Sequence, residues 1–322
     1  MKTPSWAALL NRQAALLRRA ARPLRERHRA PAGAGSWLAG AVTTEAGPRR
    51  WWLFRPEGVR FGERLPLLVM LHGCHQDAKS FAASTRMNLL AARERFLVLY
   101  PEQSRLANAQ GCWNWFDTRA GRAWAEAGWI MRAIDQVVML YAADRERTAV
   151  AGLSAGASMA ALLATRYPRR FKALAMHSGV PPGVAHSAAS AVGAMQGRRE
   201  PALPTADGAW PPLIVIHGEA DAVVSARNAG AAARLWSGAA GASEGAPQQQ
   251  QRGKRYPMTV THFQRASEPV ATLVQVQQLG HAWSGGAARQ RFSDAQGPDA
   301  SRLVWRFAQQ QFRRAGGGTG EV

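Results

Sequence analysis

Five short runs of this chain are apolar at nearly every position: "LPLLVML" (65–71), "FLVLYP" (96–101), "TAVAGL" (148–153), "FKALAM" (171–176) and "PLIVI" (212–216). A strand with one wet face alternates polar and apolar residues, so uniform runs of this length belong in strands covered on both faces. Between them lie segments with apolar residues at helical spacing, such as "DAKSFAASTRMNLLAARER" with Asp77 as a cap, "EAGWIMRAIDQVVMLYAA", "AGASMAALLATRYP" and "RNAGAAARLWSG". Strands alternating with helices predict the α/β class: a mostly parallel central sheet with helices on both faces. Two β-like runs, "WLAGAV" and "RRWWLFRP", precede the first apolar strand, and "VATLVQVQQLGHAW" supplies a late one.

The 322 residues, 47% of them hydrophobic, suffice for one such domain of roughly 250 residues with an ordinary core. No run reaches the ~18 uninterrupted apolar residues of a membrane span. A formal net charge of +20 could indicate nucleic acid, but it is nearly all Arg, with Lys only at Lys2, Lys79, Lys172 and Lys254, and is scattered along the chain. Without an aromatic-interleaved basic patch, no nucleic-acid partner is expected.

The domain plan has three parts. Residues 1–36 form a basic leader and an "APAGAGS" linker, residues 37–312 the catalytic domain, and residues 313–322 a flexible tail. In the leader, Trp6, Leu9, Leu10, Leu16, Leu17 and Leu24 recur at helical spacing among Arg12, Arg18, Arg19, Arg22 and Arg25. This is an amphipathic pattern through which residues 3–29 could contact a granule or membrane surface; the alternative is a solvated, frayed leader. It lacks the continuous apolar core and small-residue cleavage site of a secretory signal. Within the domain, residues 180–211 read as a long excursion over one end of the sheet and residues 241–253 as a mobile surface loop.

The chemistry gathers at strand ends. "GLSAG" at 152–156 places Ser154 between two glycines, after an apolar strand and before a small-residue helix, the setting in which a strained turn lifts a serine hydroxyl above the sheet. A serine nucleophile needs a base and a carboxylate to orient that base. Asp221 follows "LIVIHGEA", 67 residues beyond Ser154, with Glu219 as a rival; it could also merely cap the next helix. His281 follows "LVQVQQLG", 60 residues later, and of the eight histidines it alone is late enough and just beyond a strand. The oxyanion then calls for two amides: Ala155, directly after the serine, and Cys74 in the "LHGCHQ" turn after an early strand. "HGCH" offers two histidines for a metal but no third ligand accompanies them, and the chemistry requires no cofactor or metal. Cys74 and Cys112 both lie in glycine-flanked loops that could meet; they pair if the protein is exported, or remain buried thiols if it stays in the cytoplasm.

Taken in order, "LHGCHQ", "YPEQ", "CWNWF", "GLSAG", "HGEAD" and "GHAWSGG" resemble the poly(3-hydroxybutyrate) depolymerase family of esterases, related to feruloyl and acetylxylan esterases in the α/β-hydrolase superfamily. The resemblance covers roughly residues 37–312. It implies the α/β-hydrolase fold, Ser154, Asp221 and His281 as the catalytic triad, and the Cys74 and Ala155 amides as the oxyanion hole. It also implies a polyester or oligoester substrate, with feruloyl or acetyl esters as the alternative; a non-catalytic granule- or lipid-surface binder is a reading of another class. Trp113, Asn114, Trp115 and Trp283 are expected to contact substrate. Relatives that attack solid polymer outside the cell usually carry a signal peptide and an adsorption domain. Neither is seen here, so a cytoplasmic, granule-associated location is expected, with an extracellular one as the alternative.

Overall fold

A computed structural model describes residues 31–201 and 209–317. The chain opens on a hairpin, β1 (Gly35–Thr44) and β2 (Gly47–Pro56), and then alternates. In chain order come β3 (Leu65–Leu71), α1 (Ala78–Thr85), α2 (Met87–Glu94), β4 (Leu97–Pro101), α3 (Arg122–Leu140) and β5 (Ala143–Leu153). There follow α4 (Ala155–Arg166), β6 (Ala173–His177), α5 (Ala188–Met195), β7 (Leu213–Gly218) and α6 (Arg227–Ala240). The last elements are β8 (Ser243–Glu244), β9 (Gln248–Gln250), β10 (Met258–Arg265), β11 (Glu268–Val276), β12 (Trp283–Ser284), β13 (Ser293–Asp294) and α7 (Ala300–Gly317).

Eleven strands form one sheet in the order β1-β2-β4-β3-β5-β6-β7-β11-β10-β8, with β9 also paired to β10. The pairs from β4 through β11 are parallel, and both margins are antiparallel. This is the α/β-hydrolase architecture, and the uniformly apolar runs occupy its interior as expected. In β3, Leu67, Val69 and Leu71 enter one core with α3, α4 and α6, whereas Leu68 and Met70 enter the opposite core with α1, α2 and α7. Both faces are dry, which is why period-two alternation is absent from the sequence.

Three boundaries differ from expectation. Residues 241–253 are not a plain loop: Ser243–Glu244 and Gln248–Gln250 pair with β10 as exposed edge strands. An edge strand is held by its backbone, so the glutamine run carries no apolar signature. The tail expected at 313–322 is helical through Gly317: α7 buries Phe307, Ala308 and Phe312, continues through the good helix formers Arg313, Arg314 and Ala315, and ends on two glycines. The sheet itself begins at Gly35, inside the expected linker. The amphipathic pattern of residues 3–29 lies outside the described residues, among which no helix is long and apolar enough to cross a membrane.

Candidate active site

The parallel strands end along one edge, and the candidate residues follow them there. Between β5 and α4 the chain must reverse within one residue, and Ser154 takes this turn at φ 56°, ψ −123°. So strained a backbone persists only where its surroundings over-determine it. Its N–H donates to the His177 carbonyl (2.8 Å) at the end of β6, and its carbonyl accepts from the Ser158 N–H in α4 (3.1 Å). The flanking glycines are required by space. A Cβ on Gly152 would sit 2.3 Å from the Gly156 carbonyl, and one on Gly156 would sit 2.1 Å from the Leu71 carbonyl oxygen.

Asp221 and His281 arrive from the loops after β7 and β11. The Ser154 hydroxyl lies 2.9 Å from His281 Nε2, and His281 Nδ1 lies 2.8 Å from Asp221 Oδ2. With the hydroxyl donating to Nε2, the ring's proton sits on Nδ1, the tautomer a base beside a carboxylate needs. Asp221 Oδ1 accepts the Val223 and Val224 N–H groups, each at 2.9 Å. His217, fully buried at the end of β7, donates Nε2–H to the Val224 carbonyl (2.9 Å) and stands 3.4 Å from Asp221 Oδ2. Burial opposes ionisation of Asp221, but hydrogen bonds from His217, His281 and the Val224 amide, with the nearby His281 charge, hold its carboxyl well below the usual range. Glu219, the rival, is exposed, and the carboxylate bonded to His281 Nδ1 is that of Asp221.

The second early turn lies against this group, since a Cβ on Gly73 would come 3.6 Å from Ser154 Cβ. Ala155 is the first residue of α4, so its N–H has no helical carbonyl to reach. The Cys74 N–H meets no acceptor among the described residues. Cys74 and Cys112 form a disulfide across a separation of 38 residues, joining the β3 turn to the loop after β4.

Beneath that loop runs a buried network that was not legible as functional in the sequence. Glu126, on α3, accepts from Asn114 Nδ2 (2.6 Å), Gln103 Nε2 (2.6 Å) and the Asn114 N–H (2.8 Å). Gln103 Nε2 also donates to the Cys112 carbonyl (3.1 Å), and the Gln103 N–H donates to His72 Nε2 (3.1 Å). That bond leaves the His72 proton on Nδ1, which donates to the Gly73 carbonyl (2.8 Å). Burial pushes the Glu126 carboxyl up, against the three donors that favour its charge, and burial lowers His72. His177 is held neutral in the same way: it accepts the Ser284 N–H at Nε2 (3.1 Å), and burial, with the charges of His217 and His281, lowers its pKa to about 3. An acid on an otherwise apolar helix stripe with Ala123, Ala127 and Ile130 is the signal that could have exposed Glu126.

The expected substrate contacts need correction. Trp113 is fully buried, donates Nε1–H to the His72 carbonyl (3.0 Å) and packs on Trp129. Trp283 is fully buried between His177 and Phe81 and donates to Ser301 Oγ (3.1 Å). Asn114 is spent on Glu126, and Trp115 is 8% exposed against Phe116. These side chains fasten loops to the core and leave little or no surface to solvent. The apolar side chains left exposed on the segments that follow these strands are Leu106 and Val223, on loops, and Val192, on α5. Among the described residues no cluster of three or more His, Cys, Asp or Glu is arranged to hold a metal ion.

Known proteins share the fold and parts of the sequence. The fold matches the acetyl xylan esterase from Aspergillus awamori with a TM-score of 0.61 at 19% identity, over 76% of this chain and 94% of that one. It also matches an S-formylglutathione hydrolase from Agrobacterium tumefaciens with a TM-score of 0.55 at 15% identity, over 88% and 95% of the two chains. In sequence, the chain is 32% identical to poly(3-hydroxyalkanoate) depolymerase C of Paucimonas lemoignei over 179 residues, 51% of this chain and 42% of that protein. It is 28% identical to feruloyl esterase B of Neurospora crassa over 216 residues, 59% of this chain and 73% of that one. The aligned region therefore spans well under half the length of the Paucimonas depolymerase. Residues 50–246, from β2 to the start of the β8–β9 edge and including Ser154 and Asp221, match the family model for esterase PHB depolymerase, and the chain belongs to that family.

Proposed function

We propose that this protein is a serine esterase acting through an acyl-enzyme, with Ser154 as nucleophile, His281 as general base and then general acid, and Asp221 as the group that orients and stabilises the imidazolium. The observation that carries the reading is the continuous hydrogen-bond chain from Ser154 Oγ through His281 to Asp221, built on the strained turn at Ser154. In the first half-reaction Ser154 Oγ bonds to the ester carbonyl carbon and its proton passes to His281 Nε2. The oxyanion rests on the Cys74 and Ala155 amides, and the alcohol leaves with the proton from His281. Water, deprotonated by His281, then releases the carboxylic acid and restores Ser154.

The substrate class we favour is poly(3-hydroxybutyrate) or its oligomers, supported by the family match and the Paucimonas relative. Leu106, Val192 and Val223 take the contact role first expected of the tryptophans. A feruloyl or acetylxylan ester is the second reading, supported by the Neurospora relative and by acetylxylan esterase A of Emericella nidulans, 27% identical over 203 residues. The Cys74–Cys112 disulfide favours the extracellular alternative over a cytoplasmic one, because such bonds persist in oxidising compartments. Initial rates on 3-hydroxybutyrate oligomers, amorphous polymer, a feruloyl ester and acetylated xylan, with Ser154→Ala as control, test both levels. Faster turnover of the hydroxybutyrate esters, abolished in Ser154→Ala, is expected. Preference for the feruloyl or acetyl ester overturns the substrate, and undiminished activity of Ser154→Ala overturns the mechanism.

A further inference from the structure

On the face of the sheet that carries α2 and α7, a cleft of about 390 Å³ opens between these helices and the turn from β9 to β10. Its walls bring together six arginines: Arg86 and Arg93 from the α2 side, Arg302 and Arg306 from α7, and Arg252 and Arg255 from the turn. Two of the six charges meet a carboxylate, Arg93 at Glu94 and Arg302 at Asp299. Arg86 reaches only the Gly285 carbonyl and Arg255 the Ala295 and Gly297 carbonyls, while Arg252 and Arg306 have no ion-pair partner among the described residues. Among the described residues, four guanidinium charges of this cleft therefore meet no carboxylate. Arg302 and Arg306 stand one helical turn apart, where like charges repel. The carbonyl contacts of Arg86 and Arg255 tie loops to the cleft but leave the mutual repulsion of the charges in place, whereas an anion seated among them removes it.

The character of the walls narrows the ligand. Guanidinium forks match phosphate oxygens in pairs, and a concave setting concentrates their potential. Beside them lie Leu90, Met258 and Leu303, with Leu89 half-exposed at the rim, which offers an apolar wall to a ligand that is more than a bare ion. We propose that this cleft is a binding site for a phosphate monoester bearing an apolar group, distinct from the Ser154 site.

Titration calorimetry on the full chain at fixed ionic strength tests this with hexyl phosphate and inorganic phosphate as probes. Hexyl phosphate is expected to bind with the lower Kd, and Arg252→Gln with Arg306→Gln to weaken it by about tenfold or more, since two charge-assisted contacts are lost. The same charge change at exposed sites away from the cleft, Arg132→Gln with Arg169→Gln, is expected to leave Kd unchanged. Both double variants should keep the wild-type thermal melt and rate on a soluble ester. Flotation with phosphatidylcholine vesicles, with and without phosphatidic acid, separates the two sources: capture by the phosphatidic acid vesicles, lost with Arg252 and Arg306, assigns a lipid headgroup, and binding of soluble hexyl phosphate alone assigns a free monoester. Absence of binding to any probe, or equal weakening by the two variant pairs, overturns the proposal.

Discussion

Removing the Cys74–Cys112 bond should destabilise the protein by an amount set by the loop it closes. A cross-link spanning 38 residues withholds about 13 cal/mol/K from the unfolded chain, or about 4 kcal/mol at 25 °C. For a domain of this size each kcal/mol is worth roughly 2–4 °C, so Cys74→Ser with Cys112→Ser should lower Tm by roughly 8–16 °C. The native loops remain joined without the sulfurs. The His75 N–H donates to the Gln110 carbonyl (2.8 Å), and Trp113 Nε1–H donates to the His72 carbonyl (3.0 Å). The variant should therefore fold at 20 °C with the turn at residues 73–75 still in place, and, on the proposed oxyanion role of that turn, kcat should fall by much less than the ~100-fold cost of a lost oxyanion donor. Paired thermal melts with and without reductant, followed by kcat and KM on a soluble ester at 20 °C, check both parts. A Tm drop under ~2 °C would refute the loop-entropy argument, and a kcat loss above ~100-fold would show that the sulfurs, not the hydrogen bonds, hold the turn.

Three further outcomes follow from the site. Ser154→Ala should reduce kcat by a factor on the order of 10⁶ and Asp221→Asn by about 10⁴, with melts unchanged within a few degrees, as single-turnover assays and calorimetry would record. Stability should be intact above pH 6.5 and fall towards pH 3, because the unfolded chain protonates its His177 near 6.5 while the folded one resists until about 3; the loss amounts to roughly 5 kcal/mol, and urea midpoints across that range in wild type and His177→Asn would reveal it as a flattened slope in the variant. Glu126→Ala should cost about 3 kcal/mol or more by stranding the Asn114 and Gln103 donors, and should lower kcat more than it raises KM, because the loop carrying Cys112 loses its footing.

The hydrogen-bonded group of Ser154, His281 and Asp221 was legible because its members obey chain order: a serine, an acid and a histidine, each just past an apolar strand. Their supports were not. His72, His177 and His217 occupy or directly follow the ends of β3, β6 and β7, and in the sequence they read as competitors of His281. In the fold they hold turns: His72 fixes Gly73 and Gln103, and His177 binds the chain after His281. The tryptophans misled for a related reason. An aromatic residue in a glycine-flanked loop resembles a substrate platform, yet "CWNWF" folds inward because Trp113 finds an acceptor in the His72 carbonyl, which lies forty-one residues away in sequence. Such pairings depend on which loops the sheet order brings together, and that order is not local information.

The acid of the site owes two of its hydrogen bonds to main-chain N–H groups, those of residues 223 and 224. Every amino acid except proline supplies that group, so mutation at these codons leaves the charge on Asp221 anchored. Val223 is also 51% exposed beside the site. Its side chain can therefore change without disturbing the main-chain bond to Asp221, so that under the proposed mechanism position 223 can be altered for a different ester while the acid stays anchored.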